Sequence, residues 1–168
     1  MIVRMALVTG SSSLDPDHCG VRGTSASAGW ALALIAATLD GLGPHGVVLH
    51  TGTSTGPDAW AEAWANGRGL MAVRYALDGT IYADGCAPEP WTSAPVRRDV
   101  TWRVDRARVL AAILGQVVVE GDLAKVLILS RPQELARDHD VLQAEASRLG
   151  VEVLRRMCPR DLLRVNGR

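Results

Sequence analysis

Short apolar runs alternate along the chain with segments whose apolar residues recur at helical spacing. Five runs have the length of buried strands, and most of them are followed by glycine or by small polar residues: 3–9, 47–50, 71–77, 125–130 and 151–154. Four segments have helical composition or periodicity: 27–41, 57–66, 97–114 and 138–149. The chain therefore alternates between strand and helix.

This alternation predicts an α/β fold. Strands joined through helices form a parallel sheet that is covered on both faces, because each crossover is right-handed and buries the apolar side of its helix. A chain of 168 residues has the length of one domain. We expect a three-layer Rossmann-like domain over residues 1–156, with a mostly parallel sheet of about five strands, and a C-terminal tail over 157–168. Gly115 is the expected end of the third helix, which leaves Val117–Val119 open as a further short strand.

The loop after the second predicted strand has the composition of an anion site. It holds two glycines, three hydroxyl side chains and a helix-starting proline, in the order Gly52, Thr53, Ser54, Thr55, Gly56 and Pro57. Backbone N–H groups in the first turn of a helix lack intrahelical acceptors and carry a partial positive charge, and glycine lets a phosphate approach closely. The loop predicts a phosphate site, but a plain turn in which Thr55 caps the helix explains the same residues equally well.

Two carboxylates follow on the same helix. Asp58 lies in its first turn, and Glu62 lies one turn later on the same face. Because Asp58 would repel a phosphate, it either favours the helix dipole or accepts a hydrogen bond from a ligand hydroxyl such as that of a ribose. If the protein is an enzyme, these two residues are the candidates for a general base or nucleophile.

Polar groups also follow the first strand and precede the third helix. Gly10, Ser11 and Ser12 come where a parallel sheet binds ligands, at the carboxyl end of a strand. Arg97 and Arg98 begin a predicted helix, where cations oppose the dipole, and this placement slightly favours ligand contact over a solvated pair. The loop after the first strand contains neither G-x-G-x-x-G nor G-x-x-x-x-G-K-[ST], so neither a standard dinucleotide fold nor a P-loop NTPase is supported.

The bulk composition limits the partners. Lys and Arg number 18 and Asp and Glu number 18, so no net field draws the chain to nucleic acid or to a membrane surface. The three cysteines lie far apart and histidines are not clustered, so we predict no metal site and no cofactor. No apolar run approaches the ~18 residues of a membrane span. We therefore expect a cytoplasmic protein.

Two stretches of this sequence match motifs of a known superfamily. Val8-Thr9-Gly10-Ser11 ends the first strand as V-T-G-S, with Ser12 where that family has arginine, and His50, Gly52, Gly56 and Asp58 fit H-x-G-x-x-x-G-x-D in full. The segment Pro95-Val96-Arg97-Arg98-Asp99 fits a third motif, a proline followed by Arg-Asn, only in part. On these residues the chain resembles the YspA-like branch of the SLOG superfamily of Rossmann-like nucleotide-binding proteins.

The resemblance implies a pocket for a nucleotide or nucleotide-derived small molecule, without fixing a reaction. The glycine-rich P-G-G-x-G-T-x-x-E loop of the related phosphoribohydrolases is absent after 125–130. We expect a sensor or sequestering protein that binds its ligand at the carboxyl ends of the strands. The alternative is a hydrolase that cleaves an N-glycosidic or phosphoester bond with Asp58 or Glu62. The resemblance and the five tryptophans also predict a homo-oligomer.

Overall fold

A computed structural model describes residues 4–17, 23–51, 55–75, 81–82, 100–119, 123–132 and 136–164. Within these residues six strands form one sheet: β1 (Met5–Gly10), β2 (Val47–His50), β3 (Met71–Tyr75), β4 (Ile81–Tyr82), β5 (Ala124–Ser130) and β6 (Glu152–Met157). The same residues contain four α-helices: α1 (Ser25–Leu39), α2 (Pro57–Gly67), α3 (Val100–Val119) and α4 (Arg137–Arg148).

The sheet has the strand order β4-β3-β2-β1-β5-β6. Five of these strands run parallel, and only the two-residue edge strand β4 is antiparallel to its neighbour β3. The chain moves outward from β1 through β2 and β3 and then returns to the other side of β1 with β5. The predicted α/β, Rossmann-like fold is therefore confirmed, and its strand order reverses between β1 and β5.

The helices cover both faces of the sheet. In β1, Ala6 and Val8 belong to the core beneath α1 and α2, whereas Leu7 between them belongs to the core beneath α3 and α4. Alternate side chains of a strand point to opposite faces, and all three residues are fully buried, as expected of a sheet between two helical layers.

Helix α3 is longer than the apolar pattern predicts. Gly115 does not end it, and 117–119 continues the helix as far as Val119, so the short strand considered there is absent. The reason is tertiary packing. A Cβ atom at Gly115 would lie 2.8 Å from Cδ1 and 3.0 Å from Cβ of Leu149, so this glycine lets Leu149 pack directly against the backbone of α3.

The C-terminal segment packs against the domain. Strand β6 extends to Met157, and Cys158 is buried with its N–H donated to the carbonyl oxygen of Ser130 at 2.8 Å. The Oγ of Thr24 donates to the carbonyl oxygen of Leu162, and Leu162 and Leu163 pack against the core on the α1 side. Residues 158–164 therefore pack against the domain and contact the start of α1, although the sequence pattern predicts a tail there.

Helix α1 is unusually apolar. Together with the following turn, residues 25–42 form the single stretch in the described part of the chain that is long and apolar enough to cross a membrane, judged by length and composition. In the fold, Ala31, Ile35 and Leu39 of this helix are fully buried against the sheet. The stretch is thus long and apolar enough for a membrane span, which the sequence pattern did not indicate. In this fold it forms a helix of the core.

Candidate functional site

The reversal of strand order places the ends of β1 and β5 side by side. Gly10 is aligned with Leu129 in the sheet, and the N–H of Ser11 donates to the carbonyl oxygen of Leu129 at 2.8 Å. Ser11 directly follows β1 and Ser130 is the last residue of β5, so both lie at the carboxyl ends of these two neighbouring strands. In open α/β sheets the crevice at such a reversal is where ligands bind.

Polar side chains meet at this edge. Ser11 Oγ lies 2.8 Å from Ser13 Oγ and accepts a hydrogen bond from Arg131 Nε at 3.3 Å. Ser130 is only 5% exposed, and its hydroxyl has no hydrogen-bond partner in the described part of the chain. The ends of β1 and β5 therefore combine three hydroxyl groups with one guanidinium.

A second polar group lies at the ends of β1 and β2. The fully buried carboxylate of Asp58 accepts the N–H of Thr51 at 2.7 Å and its hydroxyl at 2.6 Å, both through Oδ1. Its Oδ2 accepts the hydroxyl of Thr9 at 3.4 Å, and the two threonine Oγ atoms lie 3.1 Å apart. Asp58 thus ties the start of α2 to the ends of two strands.

The start of α2 already has a carboxylate beside it. Gly56 is the residue before the first turn, and its N–H donates to Oδ2 of Asp15 at 3.0 Å. Asp15 comes from the loop after β1 and is buried, and its Oδ1 accepts the N–H of Asp17. Because a carboxylate near a helix N-terminus is favourable, the chain supplies its own anion where the sequence predicts a phosphate.

A buried ionic cluster lies beneath these loops. His50 at the end of β2 and Arg74 in β3 are aligned in the sheet, and Glu62 reaches both from α2. Its Oε2 lies 3.1 Å from His50 Nε2 and 3.1 Å from an Arg74 terminal nitrogen, which also donates to Oε1 at 3.2 Å. Burial raises the pKa of Glu62, but the hydrogen bonds and charges of His50 and Arg74 lower the pKa by more, so the carboxyl stays ionised.

Several of the predicted site residues converge. Gly10 packs where a Cβ atom would lie 2.2 Å from Leu129 O and 2.9 Å from Pro57 Cγ, so it brings β5 and α2 close to β1. Ser12 contacts Gly56 directly, since a Cβ there would lie 2.8 Å from Ser12 Cα. Thr55 is not the helix cap, because that position belongs to Gly56, which has no side chain to cap with. The remaining predicted residues lie outside the described ranges: Gly52, Thr53, Ser54, Arg97 and Arg98.

Sequence reasoning missed three residues of this edge. Asp15 gave no signal, because its partner Gly56 lies 41 positions away in the chain. Ser130 and Arg131 did carry one, since they follow a strongly apolar strand and therefore lie at the carboxyl edge of the sheet. Their importance emerges only once β5 is known to lie beside β1.

The chain matches no family model, no curated protein and no solved structure.

Proposed function

We propose that the protein binds a nucleotide or nucleotide-derived small molecule at the carboxyl edge of the sheet, in the crevice between β1 and β5. The observation that carries the proposal is the reversal of strand order at a point where polar side chains converge from two loops. Ser11 and Ser13 follow β1, and Ser130 and Arg131 follow or end β5. Hydroxyl and guanidinium donors of this kind suit the phosphate and hydroxyl groups of a nucleotide.

The state of the two candidate carboxylates favours binding over hydrolysis. A general base needs an oxygen within hydrogen-bond reach of the substrate. Both oxygens of Asp58 accept hydrogen bonds from threonines, and the side chain is fully buried. Glu62 is paired with Arg74 and His50 at about 3 Å. Both carboxylates therefore bind groups of the protein itself. For this reason a sensor or sequestering protein fits better than the hydrolase.

Membership of the SLOG superfamily is part of the same proposal. Its support is the position of the two matching stretches: Val8–Ser11 ends β1 and His50 ends β2, and these strands are neighbours in the sheet. Both motifs therefore border the carboxyl edge where the ligand is expected to bind.

Cytoplasmic localisation is likewise proposed, on the balanced charge of the chain.

The proposal is tested by ligand-induced stabilisation. Thermal unfolding of the purified chain is followed with mono-, di- and cyclic nucleotides and with ADP-ribose derivatives, and each mixture is then examined by mass spectrometry. A ligand at a hundredfold excess over its Kd adds about 2.7 kcal/mol to the free energy of unfolding, so micromolar affinities give a clear shift. A shift with the ligand recovered intact supports the binding protein. A new product mass would instead establish the hydrolase, and no shift with any compound would overturn both.

We also propose that the chain self-associates through α1. No residue of α1 is charged, and Leu32 on its outer side is 44% exposed. The helices on the opposite face expose charged side chains such as Asp105, Arg108 and Arg148. Because interface centres are depleted of charge, the uncharged face suits a second copy of itself.

Sedimentation of the wild-type chain tests this second proposal. We expect a dimer that Leu32→Glu converts to monomer. Val109→Glu, at a similarly exposed position of α3, is the matched control and should remain dimeric. A monomeric wild-type chain, or equal effects of the two variants, would refute an interface at α1, and a wild-type chain that binds lipid vesicles would assign the apolar face to a membrane instead.

A further inference from the structure

We propose that Ser11, Ser130 and Arg131 form a subsite for an anionic group of the ligand, a phosphate or a carboxylate. The inference rests on the proposed function, because it assigns one part of the same crevice. It differs from the sequence-based expectation, which places the anion at the glycine-rich start of α2.

The hydroxyl of Ser130 is the first argument. The side chain is 95% buried, and Oγ has no hydrogen-bond partner in the described ranges of the chain. Buried polar groups of native proteins are almost always paired, and an exception calls for a functional reason or a missing partner. An anion at the crevice would accept this hydroxyl hydrogen.

Arg131 supplies the charge. Its Nε donates to Ser11 Oγ at 3.3 Å, which holds the guanidinium at the end of β1, although Arg131 begins the loop after β5. A guanidinium presents parallel N–H donors that match two oxygens of a phosphate or carboxylate. The serine contact therefore orients a cation at the reversal of strand order, directly after Ser130 in the chain.

The start of α2 is a poorer place for the anion. Oδ2 of Asp15 already accepts the N–H of Gly56 there, and a second anion would be repelled by this carboxylate. Gly56 also lies close to Ser12, since a Cβ atom at Gly56 would approach Ser12 Cα to 2.8 Å. An anionic group of the ligand is therefore better placed on the β5 side of β1, where the guanidinium of Arg131 lies.

The test compares ligands that differ only in the anion. Isothermal calorimetry measures the Kd of the full chain for a nucleoside, its 5′-monophosphate and its 5′-carboxylate, and for ribose 5-phosphate and inorganic phosphate. We expect the anionic nucleoside to bind at least about tenfold more tightly than the neutral one, as for charge-assisted hydrogen bonds. A gain from the phosphate alone assigns a phosphate site, and an equal gain from the carboxylate assigns a general anion site.

Two variants connect this gain to the named residues. Arg131→Gln and Ser130→Ala should each remove most of the advantage of the anion, measured as the ratio of the Kd of the neutral nucleoside to the Kd of the anionic nucleoside. Ser130→Ala should also leave the Tm of the unliganded protein unchanged or raise it, since it removes a buried hydroxyl without a partner. Loss of binding through unfolding would lower that Tm. Arg148→Gln and Ser147→Ala, on the exposed side of α4, are the matched controls.

The outcomes separate this inference from the proposed function. If the neutral and anionic nucleosides bind equally well, and the variants change neither, the subsite is overturned and nucleotide binding stands. If only ribose 5-phosphate or inorganic phosphate binds, and Arg131→Gln abolishes that binding, the subsite stands and nucleotide binding is overturned. If no probe binds, both are overturned.

Discussion

The carboxylate of Asp15 accepts the backbone N–H of Gly56 at 3.0 Å, across 41 residues of chain. This bond joins the loop after β1 to the start of α2 and places a negative charge at the positive end of the helix. It also gives the glycine-rich stretch an internal role that its composition does not reveal. The composition of the loop before α2 favours an anion, and the carboxylate of Asp15 provides one from within the protein.

Removing this carboxylate should destabilise the fold. We expect Asp15→Ala to lower the free energy of unfolding by about 1 to 2 kcal/mol, in the range of lost helix caps, because the N–H of Gly56 loses a buried acceptor. Asp15→Asn keeps an oxygen acceptor and should cost less. Urea unfolding measures both values, with Asp17→Ala at an exposed neighbouring position as control. Equal values for the Asp15 and Asp17 variants would show that the bond contributes nothing.

Gly56 should tolerate no side chain. Its φ of 80° and ψ of −155° lie in a region that only glycine adopts readily, and a Cβ would also approach Ser12 Cα to 2.8 Å. Gly43 is a matched control, since its φ of 74° and ψ of −175° are similar but a Cβ there meets nothing within 4 Å. We expect Gly43→Ala to cost about 1 to 3 kcal/mol from the backbone alone.

Gly56→Ala should cost more than Gly43→Ala by the additional contact with the first loop. Chemical denaturation of the two variants gives the difference directly. If both variants lose the same stability, the close approach of Ser12 to Gly56 has no energetic weight.

Asp58 should contribute to stability in the absence of any ligand. Asp58→Ala leaves the N–H of Thr51 buried without its acceptor, which we expect to cost about 3 kcal/mol. Asp58→Asn retains one oxygen for Thr51 but replaces the oxygen that accepts from Thr9 with an NH2 group, so a smaller loss of about 1 kcal/mol is expected. Asp105→Ala on the exposed side of α3 is the control. If both Asp58 variants are as stable as the wild type without ligand, Asp58 has no structural role, and its role as a ligand contact is favoured instead.

The cluster around Glu62 should make stability depend on acid pH. The pKa of this carboxyl is lower in the folded state, so its ionisation stabilises the fold at pH values above its ordinary pKa. That contribution is lost as the pH falls through the lowered pKa. We expect Glu62→Gln to cost roughly 3 kcal/mol at neutral pH, because Arg74 and His50 lose a buried partner, and to flatten the acid part of the stability curve.

Thermal or urea unfolding at a series of pH values measures this effect. Glu145→Gln is the control, since its partner Arg148 is largely exposed and surface pairs contribute about 1 kcal/mol or less. If the stability of the wild type and of Glu62→Gln falls equally steeply with decreasing pH, Glu62 is not the source of the acid dependence.

The sequence by itself determined the layers of this protein. Each parallel strand is a short apolar run because both of its faces are covered, and each helix begins or ends near a residue with a local signal, such as Pro57 at the start of α2. Strand β2 matches its predicted bounds, β3 starts at its predicted residue and its predicted end lies outside the described residues, and β1, β5, β6 and α2 differ by only a few residues. Local chemistry is sufficient for these features because strand and helix periodicity are written in neighbouring residues.

Only the tertiary structure decided what depends on distant parts of the chain. Gly115 lies inside α3 because Leu149 packs against it, and no local signal distinguishes such a glycine from one that ends a helix. Asp58 binds Thr51 and Thr9, and the N–H of Ser11 donates to the carbonyl oxygen of Leu129, because the register of β1 with β2 and β5 brings these groups together. A sequence names the groups that can donate and accept, but the packing of strands fixes which of them meet.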